Sequence, residues 1–448
     1  MSATRDVRLE PPGPTGTPLL GSLLPFKRDL LPFLMRTSRQ YGDVCRFKLG
    51  PKSIYFVNHP DHIRHILLDN YRGYRKSEGI GRLRPLIGDG IVALELPEWK
   101  RSRKVLQPVF QRARVQAFAP LFAGATERML DRWAQAPATP FSLRDEMMRL
   151  TLSVVGRALF DADLTGKLDD VGHAFTDALD HVMARIQAPV LVPLWLPTPG
   201  NRRFGRARSL VDKTVYGIIA DRRGRLDTGP NDLLGMMLEL REDGNPLSDE
   251  QLRDEIATLL LAGHDTTAYA LTWTLYLLAR NPETHRRATD EIHAVLGDEL
   301  PTAEDVDNLP FLGQVVHESL RLYPPSWGLA RVPVRDDEVG GHSIPAGAMV
   351  LMSPYVLHRH PDYWDDPDAF RPERFADDAV NSRAYLPFGV GPRTCLGQHF
   401  ATLELRLVLA TILRRAQVEL IDHEPVPARA GITLQPGRPM MARLRLRD

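Results

Sequence analysis

Cys395 is the residue of this 448-residue chain best suited to bind a metal, and it is one of only two cysteines. It lies between glycines, just after Arg393 and just before a segment with helical spacing of apolar side chains. A helix N-terminus and a nearby guanidinium both stabilise a thiolate, which is the form of cysteine that ligates metals. Gly391 and Gly397 would let the backbone approach a large flat ligand. Considered alone, Cys395 is better explained as an inert thiol packed in a loop.

A second group of polar residues lies inside an otherwise apolar helical segment. Gly263, His264 and Asp265 are expected to break that segment, and Thr266 follows them. A glycine there costs about 1 kcal/mol relative to alanine, so a close approach or a bend is needed to explain it. A threonine hydroxyl can bond the carbonyl one turn back and open the helix locally, and a neighbouring carboxyl group can relay protons. Taken by itself, the group would fit a kink in a packed core.

The helix that carries this group is the longest one that the sequence predicts. It begins at Ser248, where Ser248-x-x-Gln251 forms a capping box, and it ends before Asn281-Pro282. At about 1.5 Å per residue it would be about 50 Å long. Further helices are predicted at 311–322 and 398–416, and extended segments at 44–49, 53–58, 331–334 and 348–353. Residues 362–380, which are rich in proline and aspartate, are expected to form an irregular meander.

The order of residues around Cys395 resembles the haem-ligating signature of the cytochrome P450 family. The pattern Phe388-x-x-Gly391-x-Arg393-x-Cys395-x-Gly397 has every fixed position of that signature. The resemblance implies that haem b (iron protoporphyrin IX) binds here, that Cys395 ligates its iron, and that Phe388 and Gly397 contact it. It extends over nearly the whole chain and implies the family fold: mainly α with a minor β part, a helix-rich body around haem and small sheets near the N-terminus.

Ala262-Gly263-His264-Asp265-Thr266 is similar to the oxygen-binding motif of the same family. The resemblance implies that Ala262 and Gly263 lie against the haem, where dioxygen binds. Asp265 and Thr266 would then be the catalytic acid–alcohol pair. Thr266 would hydrogen-bond dioxygen-derived oxygen or a water, and Asp265 would pass protons inward.

Trp99-x-x-x-Arg103 is similar to the propionate-binding helix of this family, with the two side chains stacked one turn apart. By position, Arg331 and Arg393 are the other expected partners of the haem propionates. Arginine suits this role because its planar guanidinium can grip a carboxylate through two hydrogen bonds. The histidines of His358-Arg359-His360 are interpreted as surface residues and are not assigned as axial ligands.

Glu318-x-x-Arg321 puts a carboxylate and a guanidinium on one helix face. For so short a motif, a solvated ion pair is the commoner explanation. By resemblance, Arg374 is the third member of a structural triad that braces the meander beneath the cysteine loop. Loss of Glu318 is therefore expected to cause misfolding or loss of haem rather than slower chemistry.

The substrate contacts that the resemblance implies fall in apolar stretches at 79–96, 175–204 and 327–330. The candidates are Leu86, Ile87, Ile91, Val92, Leu94, Met183, Leu191, Trp327 and Leu329. This lining suits a hydrophobic substrate such as a terpenoid, a fatty acid or a macrolide-like secondary metabolite. Aliphatic stripes mostly serve core packing, so that alternative stays open for these residues.

Residues 99–114 carry six basic side chains and no acidic one. A solvated helix face explains this run as well as a docking site does. The resemblance implies that this helix lies on the proximal side of the haem, where a basic patch would attract an acidic ferredoxin. No dinucleotide-binding glycine motif follows a strand and no four-cysteine cluster is present, so we expect electrons from a separate ferredoxin and ferredoxin reductase.

The composition fits a globular protein with a sizeable core, since 43% of residues are apolar and 25% are charged. A net charge of +1 argues against overall attraction to nucleic acid or to a membrane surface. No apolar stretch approaches the roughly 20 residues of a bilayer span, so neither a membrane anchor nor a signal peptide is predicted. Without linkers or repeats, residues 1–448 are predicted to form a single domain, with about 1–15 as a flexible Pro-rich segment. Two cysteines fit a reducing cytoplasm.

The sequence therefore predicts a soluble, bacterial-type haem-thiolate monooxygenase, monomeric and cytoplasmic, that activates O2 and oxidises a hydrophobic small molecule. Two alternatives stay open. One is a member of the family that uses peroxide or isomerises a peroxide substrate, against which Asp265 and Thr266 count. The other is a haem-binding sensor or carrier without catalysis, whose pocket would need no proton relay.

Overall fold

A computed structural model describes residues 10–135, 139–161, 166, 168–188, 191–224, 233–239, 241–242, 245–376 and 383–446. Residues 1–9 of the predicted flexible segment 1–15 lie outside the described residues. Residues 377–380, at the end of the predicted meander, lie outside them as well. The chain divides into two compact units. The first, here called the sheet unit, comprises Met1–Gly81, Ser326–Ala369 and Ala379–Cys395. The second, called the helical unit, comprises Arg82–Pro325, Phe370–Asp378 and Leu396–Asp448.

The α-helices are, in chain order, α1 (Leu23–Arg28), α2 (Leu30–Tyr41), α3 (Pro60–Arg64), α4 (Glu78–Gly81), α5 (Arg84–Ile87), α6 (Glu98–Leu106), α7 (Arg112–Gln116), α8 (Ala119–Ala134), α9 (Leu143–Phe160), α10 (Leu168–Gln187), α11 (Pro199–Arg223), α12 (Leu233–Glu239), α13 (Asp249–Arg280), α14 (Pro282–Leu296), α15 (Pro310–Leu322), α16 (Pro354–Leu357) and α17 (Gln398–Arg415). Short 3₁₀ turns lie at Tyr71–Gly73, Gln107–Phe110, Asp305–Asn308 and Pro372–Phe375, and a π turn lies at His65–Asp69.

The β-strands are, in chain order, β1 (Val44–Leu49), β2 (Lys52–Val57), β3 (Tyr74–Lys76), β4 (Phe141–Ser142), β5 (Arg241–Glu242), β6 (Asn245–Pro246), β7 (Leu329–Pro333), β8 (Asp337–Val339), β9 (His342–Ile344), β10 (Met349–Met352), β11 (Ala416–Leu420), β12 (Ala428–Ala430), β13 (Leu434–Pro436) and β14 (Met441–Leu446). With the helices above, these strands confirm the predicted mainly α fold with small sheets.

The sheet unit is organised by a five-stranded sheet in the order β1-β2-β10-β7-β3. The predicted hairpin is confirmed, because β1 pairs antiparallel with β2 and Gly50 takes a φ of +61° in the turn. Strand β10 runs parallel to β2 and antiparallel to β7. Cys45, Phe47 and Phe56 are buried along the hairpin. The sheet is thus the main β structure of the unit that also contains Cys395.

The helical unit is built around α13, which spans 32 residues and is therefore about 48 Å long. The predicted capping box is present, with both Ser248 and Gln251 in their expected bonds, and the helix ends before Asn281 as predicted. Trp273 and His264 have no exposed surface, so α13 is an internal helix. Gly263, His264 and Asp265 interrupt the apolar sequence as expected, and α13 is continuous through them.

Strands also form near the C-terminus of the chain, where the sequence predicted none. Strand β14 pairs with β11 and with β4, and β12 pairs with β13 in a hairpin. These strands are short, and their pairing partners are distant in sequence or separated by an irregular turn. Among the described residues, no helix is long and apolar enough to cross a bilayer.

Candidate active site

The cysteine loop, residues 384–395, is shaped by its glycines. Gly389 and Gly391 have φ values of +75° and +81°, which favour glycine strongly. A Cβ atom on Gly391 would lie 2.2 Å from the carbonyl oxygen of Leu67, so a larger residue would collide with the backbone. The Cys395 amide closes the loop by donating to the Phe388 carbonyl at 3.0 Å. The glycines and this backbone bond therefore define the path of the loop that carries Cys395.

The two cysteines lie in opposite environments. Cys45 is completely buried in β1, where burial raises the pKa of its thiol to about 12. Cys395 is exposed, and the two are not joined by a disulfide. A metal ligand must be reachable and deprotonated, and only Cys395 meets the first condition. The sulfur that the sequence motif selects is thus the accessible one.

The histidines after β10 are structural, and their interpretation as surface residues is wrong. His358 has no exposed surface, and its Nε2 accepts the Leu386 N–H at 2.8 Å. His360 Nε2 lies 2.9 Å from Asp43 Oδ1 in a hydrogen bond. His358 therefore anchors the start of the cysteine loop to α16. Sequence alone gave no signal for this role, because the bond joins residues 28 positions apart.

One side of α13 is open along a single turn. Ala262 is exposed, and Gly263 and Thr266 are partly exposed, although most of the helix is buried. The Thr266 hydroxyl donates to the Ala262 carbonyl at 2.7 Å, as expected for a threonine that bonds one turn back. This turn therefore exposes two small residues and one hydroxyl group on a helix that is otherwise mostly buried.

Gly263 has a packing role that the sequence did not specify. A Cβ atom there would lie 2.9 Å from Cγ2 of Val155 on α9. The close approach that a mid-helix glycine suggested is therefore the approach of α9 to α13. Because Gly263 is partly exposed, contact with a cofactor stays a prediction for this residue.

Asp265 is turned away from the open side of α13, although it precedes Thr266 directly. Its side chain is 4% exposed, and Oδ2 accepts the Thr433 hydroxyl at 2.7 Å. Burial raises the pKa of Asp265 to about 6, while the Thr433 hydrogen bond opposes the shift. An acid with that pKa exchanges protons readily near neutral pH. His264, also fully buried, packs against Phe175, and burial lowers its pKa to about 4.

Glu318 is the centre of a buried polar cluster in the helical unit. It accepts two hydrogen bonds from Arg321, at 2.6 and 2.8 Å, and one from Arg374 Nε at 3.0 Å. The Arg371 amide donates to it as well, at 2.8 Å. Neither Glu318 nor Arg321 has exposed side-chain surface, so the solvated ion pair does not describe them. The cluster joins α15 to the 3₁₀ turn at Pro372–Phe375.

The expected propionate partners fall in both units. In the helical unit, the guanidinium of Arg103 lies over the ring of Trp99, 5.7 Å from its centroid, as the one-turn spacing predicts. Trp99 is 5% exposed and supports that guanidinium from the core. In the sheet unit, Arg331 lies on β7, where it donates to the Ala330 carbonyl at 2.9 Å, and Arg393 is partly exposed in the cysteine loop.

The substrate candidates differ in accessibility. Leu86 and Ile87 have no exposed surface, which favours core packing for these two. Four candidates are partly exposed: Val92, Leu94, Met183 and Leu329. Leu191 is 45% exposed, whereas Ile91 and Trp327 are nearly buried, at 9% each. The accessible candidates thus come from three separate parts of the chain.

Two acidic residues that the sequence did not single out hold the loop before α6. Asp254 accepts the Asp89 N–H at 2.7 Å, and Glu255 accepts the Ile91 N–H at 2.9 Å. Both carboxylates are 8% exposed, in the first turns of α13. They satisfy backbone donors of a loop that carries substrate candidates, which fixes that loop to α13.

A mainly helical fold that carries an accessible thiol in a glycine-shaped loop is compatible with the haem-thiolate class of proteins. The Cytochrome P450 family model matches residues 11–442. The chain belongs to the cytochrome P450 family.

The chain is similar to known proteins over almost its full length. Cyclooctat-9-en-7-ol 5-monooxygenase of Streptomyces melanosporofaciens is 35% identical over 436 residues, which cover 95% of this chain and 92% of that protein. Cyclooctatin synthase of the same organism is 32% identical over 431 residues, 95% and 93% of the two chains. Pentalenene oxygenase of Streptomyces avermitilis is 31% identical over 438 residues, 97% and 96%. The protein is a P450 monooxygenase whose cofactor is haem.

Proposed function

We propose that this P450 oxidises a terpenoid, using dioxygen and electrons from a separate ferredoxin and its reductase. The observation that carries the proposal is the full-length similarity to proteins named for oxygenating cyclooctat-9-en-7-ol and pentalenene. Apolar residues with exposed surface (Val92, Leu94, Met183 and Leu329) support a hydrophobic substrate.

Each unit carries residues whose chemistry suits haem. In the sheet unit, Cys395 offers an accessible sulfur for the iron, and Arg331 and Arg393 offer guanidinium groups for propionates. In the helical unit, Arg103 offers a further guanidinium group. When bound, haem with a thiolate ligand supplies the redox chemistry that activates dioxygen.

The open turn of α13 would serve proton supply. The Thr266 hydroxyl donates its own proton to Ala262, so its oxygen can accept a hydrogen bond from a water. Asp265, with a pKa of about 6, can hold a proton and release it near neutral pH. The two residues face different surroundings, so a proton from the acid reaches the open side through a water.

The test is a spectral screen of the ferric protein against terpenoids, fatty acids and macrolides. We expect a terpenoid to shift the iron from low to high spin, and to be hydroxylated when ferredoxin, reductase and NADPH are added. Fatty acids and macrolides of similar size are the comparison sets.

Other results of the screen would point to the alternatives. Turnover with hydrogen peroxide but none with reduced ferredoxin would favour a peroxide-using enzyme. A ligand that binds without promoting reduction of the iron would favour a sensor or carrier.

The basic surface of α6 supports docking of an acidic ferredoxin. Lys100, Arg101 and Lys104 are exposed on this helix. Arg101 is partly neutralised by Glu98 at 3.5 Å, and the more distant Arg112 is paired with Asp307 at 3.1 Å. Lys100, Arg101 and Lys104 together supply the exposed positive charge on α6 that would steer a partner.

Reversal of charge at Lys100 and Arg101, by substitution of both with glutamate, is expected to slow ferredoxin-supported turnover about tenfold or more at low ionic strength. The difference should shrink as salt is added, because screening weakens steering between exposed charges. Stopped-flow reduction at several ionic strengths measures this.

Arg36→Glu with Arg39→Glu is the matched control, since both are exposed on α2 and the change in net charge is equal. Equal slowing in both double variants, or no slowing in the first at any ionic strength, would contradict docking at α6.

We also infer a cytoplasmic monomer, and the absence of a disulfide between Cys45 and Cys395 is compatible with a reducing compartment.

A further inference from the structure

The hydrogen bond between Thr433 and Asp265 links the candidate acid to a distant part of the chain. Thr433 lies in the turn between β12 and β13, 168 residues after Asp265, and it is 6% exposed. Its hydroxyl donates to Oδ2 of Asp265 at 2.7 Å. Both partners are almost fully buried, so water does not compete freely for this bond.

The turn that presents Thr433 is itself held in place by backbone bonds. The Leu434 carbonyl accepts the indole N–H of Trp273 at 3.1 Å, and the Leu434 amide donates to the Pro325 carbonyl at 2.9 Å. Within the turn, the Gly431 amide donates to the Thr433 carbonyl at 2.9 Å. The hydroxyl is therefore positioned by α13 and by the chain after α15, and the side chain has little freedom to leave.

Charged groups of several elements act on the same carboxyl. Arg144 of α9 lowers the pKa of Asp265, Asp180 of α10 raises it, and Tyr269 lies one turn further along α13. Burial is the largest influence and raises the pKa, and the Thr433 hydrogen bond is the strongest opposing one. Arg144 also interacts with a second carboxylate, since its Nε donates to Asp145 at 2.9 Å. Thr433 is thus the neutral group with the most direct hold on Asp265.

We propose that Thr433 is a positioning residue for proton supply, which keeps the Asp265 carboxyl in one rotamer and stabilises its anionic form. The proposal rests on the proposed role of Asp265. A hydroxyl suits this task because it can donate to Oδ2 of the carboxylate and still donate to Oδ2 when a proton sits on Oδ1. The pair can stay bonded in both protonation states, and proton transfer then requires no loss of a buried hydrogen bond.

The first measurement follows protonation of Asp265 directly. Infrared difference spectra of the ferric holoenzyme between pH 4 and 9, wild type minus Asp265→Asn, isolate the C=O stretch of the protonated carboxyl. Thr433→Val removes the hydroxyl at nearly constant shape. It is expected to raise the titration midpoint by about one pH unit, a tenfold higher proton affinity, whereas Thr433→Ser should leave the midpoint near that of wild type. Glu404→Gln identifies the signal of Glu404, another fully buried acid whose pKa is raised by burial.

The second measurement is coupling as a function of pH. Coupling is the fraction of the consumed electrons that ends in hydroxylated product rather than in peroxide. If protonated Asp265 supplies the proton, coupling falls as the pH rises above its pKa. Thr433→Val should move that decline to higher pH by the same amount as the infrared midpoint, and Asp265→Asn should abolish it. Thr433→Ala, which also lacks the hydroxyl, replaces the valine variant if that protein does not bind haem.

The outcomes separate this proposal from the proposed function. A wild-type decline that persists in Asp265→Asn would overturn the role of Asp265 itself. A decline that disappears in Asp265→Asn but does not move in Thr433→Val or Thr433→Ala would overturn the role of Thr433 alone.

Discussion

Replacement of Cys395 with serine is expected to abolish turnover and the red-shifted carbonyl absorption of the ferrous protein. An alcohol does not ionise near neutral pH, so serine could not replace the thiolate that the accessible sulfur of Cys395 is proposed to donate. The loss should far exceed the about 10–100-fold effect of removing a hydrogen-bond partner of a metal ligand. Carbon monoxide difference spectra of the purified protein measure it.

Cys45→Ala is the matched control for that experiment. Cys45 is buried in β1, and its thiol has a pKa of about 12, so it cannot act as a thiolate. This variant should keep the carbonyl spectrum while losing some stability from a small core void. An unchanged spectrum in Cys395→Ser would mean that another residue ligates the iron.

Replacement of Glu318 with alanine is expected to prevent recovery of haem-loaded protein. It leaves the fully buried guanidinium of Arg321 without its carboxylate and removes the acceptor of Arg374 and of the Arg371 amide. Breaking a buried ion pair on one side typically costs about 3–5 kcal/mol, a large part of the stability of a domain. Haem content and urea unfolding measure the effect.

Glu373→Ala tests whether the effect depends on burial. Glu373 lies on the same 3₁₀ turn as Arg374 and pairs with Arg287 at 2.7 Å, but both side chains are more than half exposed. Exposed pairs contribute about 0–1 kcal/mol, so this variant should load haem normally. A Glu318→Ala protein that is stable and fully loaded, yet slow, would show that the triad acts in chemistry rather than in folding.

Local signals in the sequence predicted the elements that carry the site. The Ser248–Gln251 capping box and Asn281-Pro282 gave both ends of α13, and Tyr323-Pro324 gave the end of α15. These signals are local because caps and prolines act on neighbouring backbone groups. The cysteine loop was recognised for the same reason, since its glycines and Cys395 are contiguous.

Contacts between distant residues were not predictable in this way. Thr433 meets Asp265, and His358 receives the Leu386 amide, only after the chain has folded. Asp254 and Glu255 were likewise not singled out, because the loop whose backbone donors they satisfy lies more than 160 positions earlier in the chain. The sequence also did not show that Gly263 makes room for Val155, because Val155 lies on α9, which is distant from Gly263 in sequence.

The unequal exposure of the two cysteines has a consequence for chemical labelling of this protein. Thiol reagents attack the thiolate, and the Cys45 thiol is buried in β1 with a pKa raised to about 12. Cys45 is therefore inert towards such reagents in the folded chain, and a label on it reports unfolding of the hairpin formed by β1 and β2.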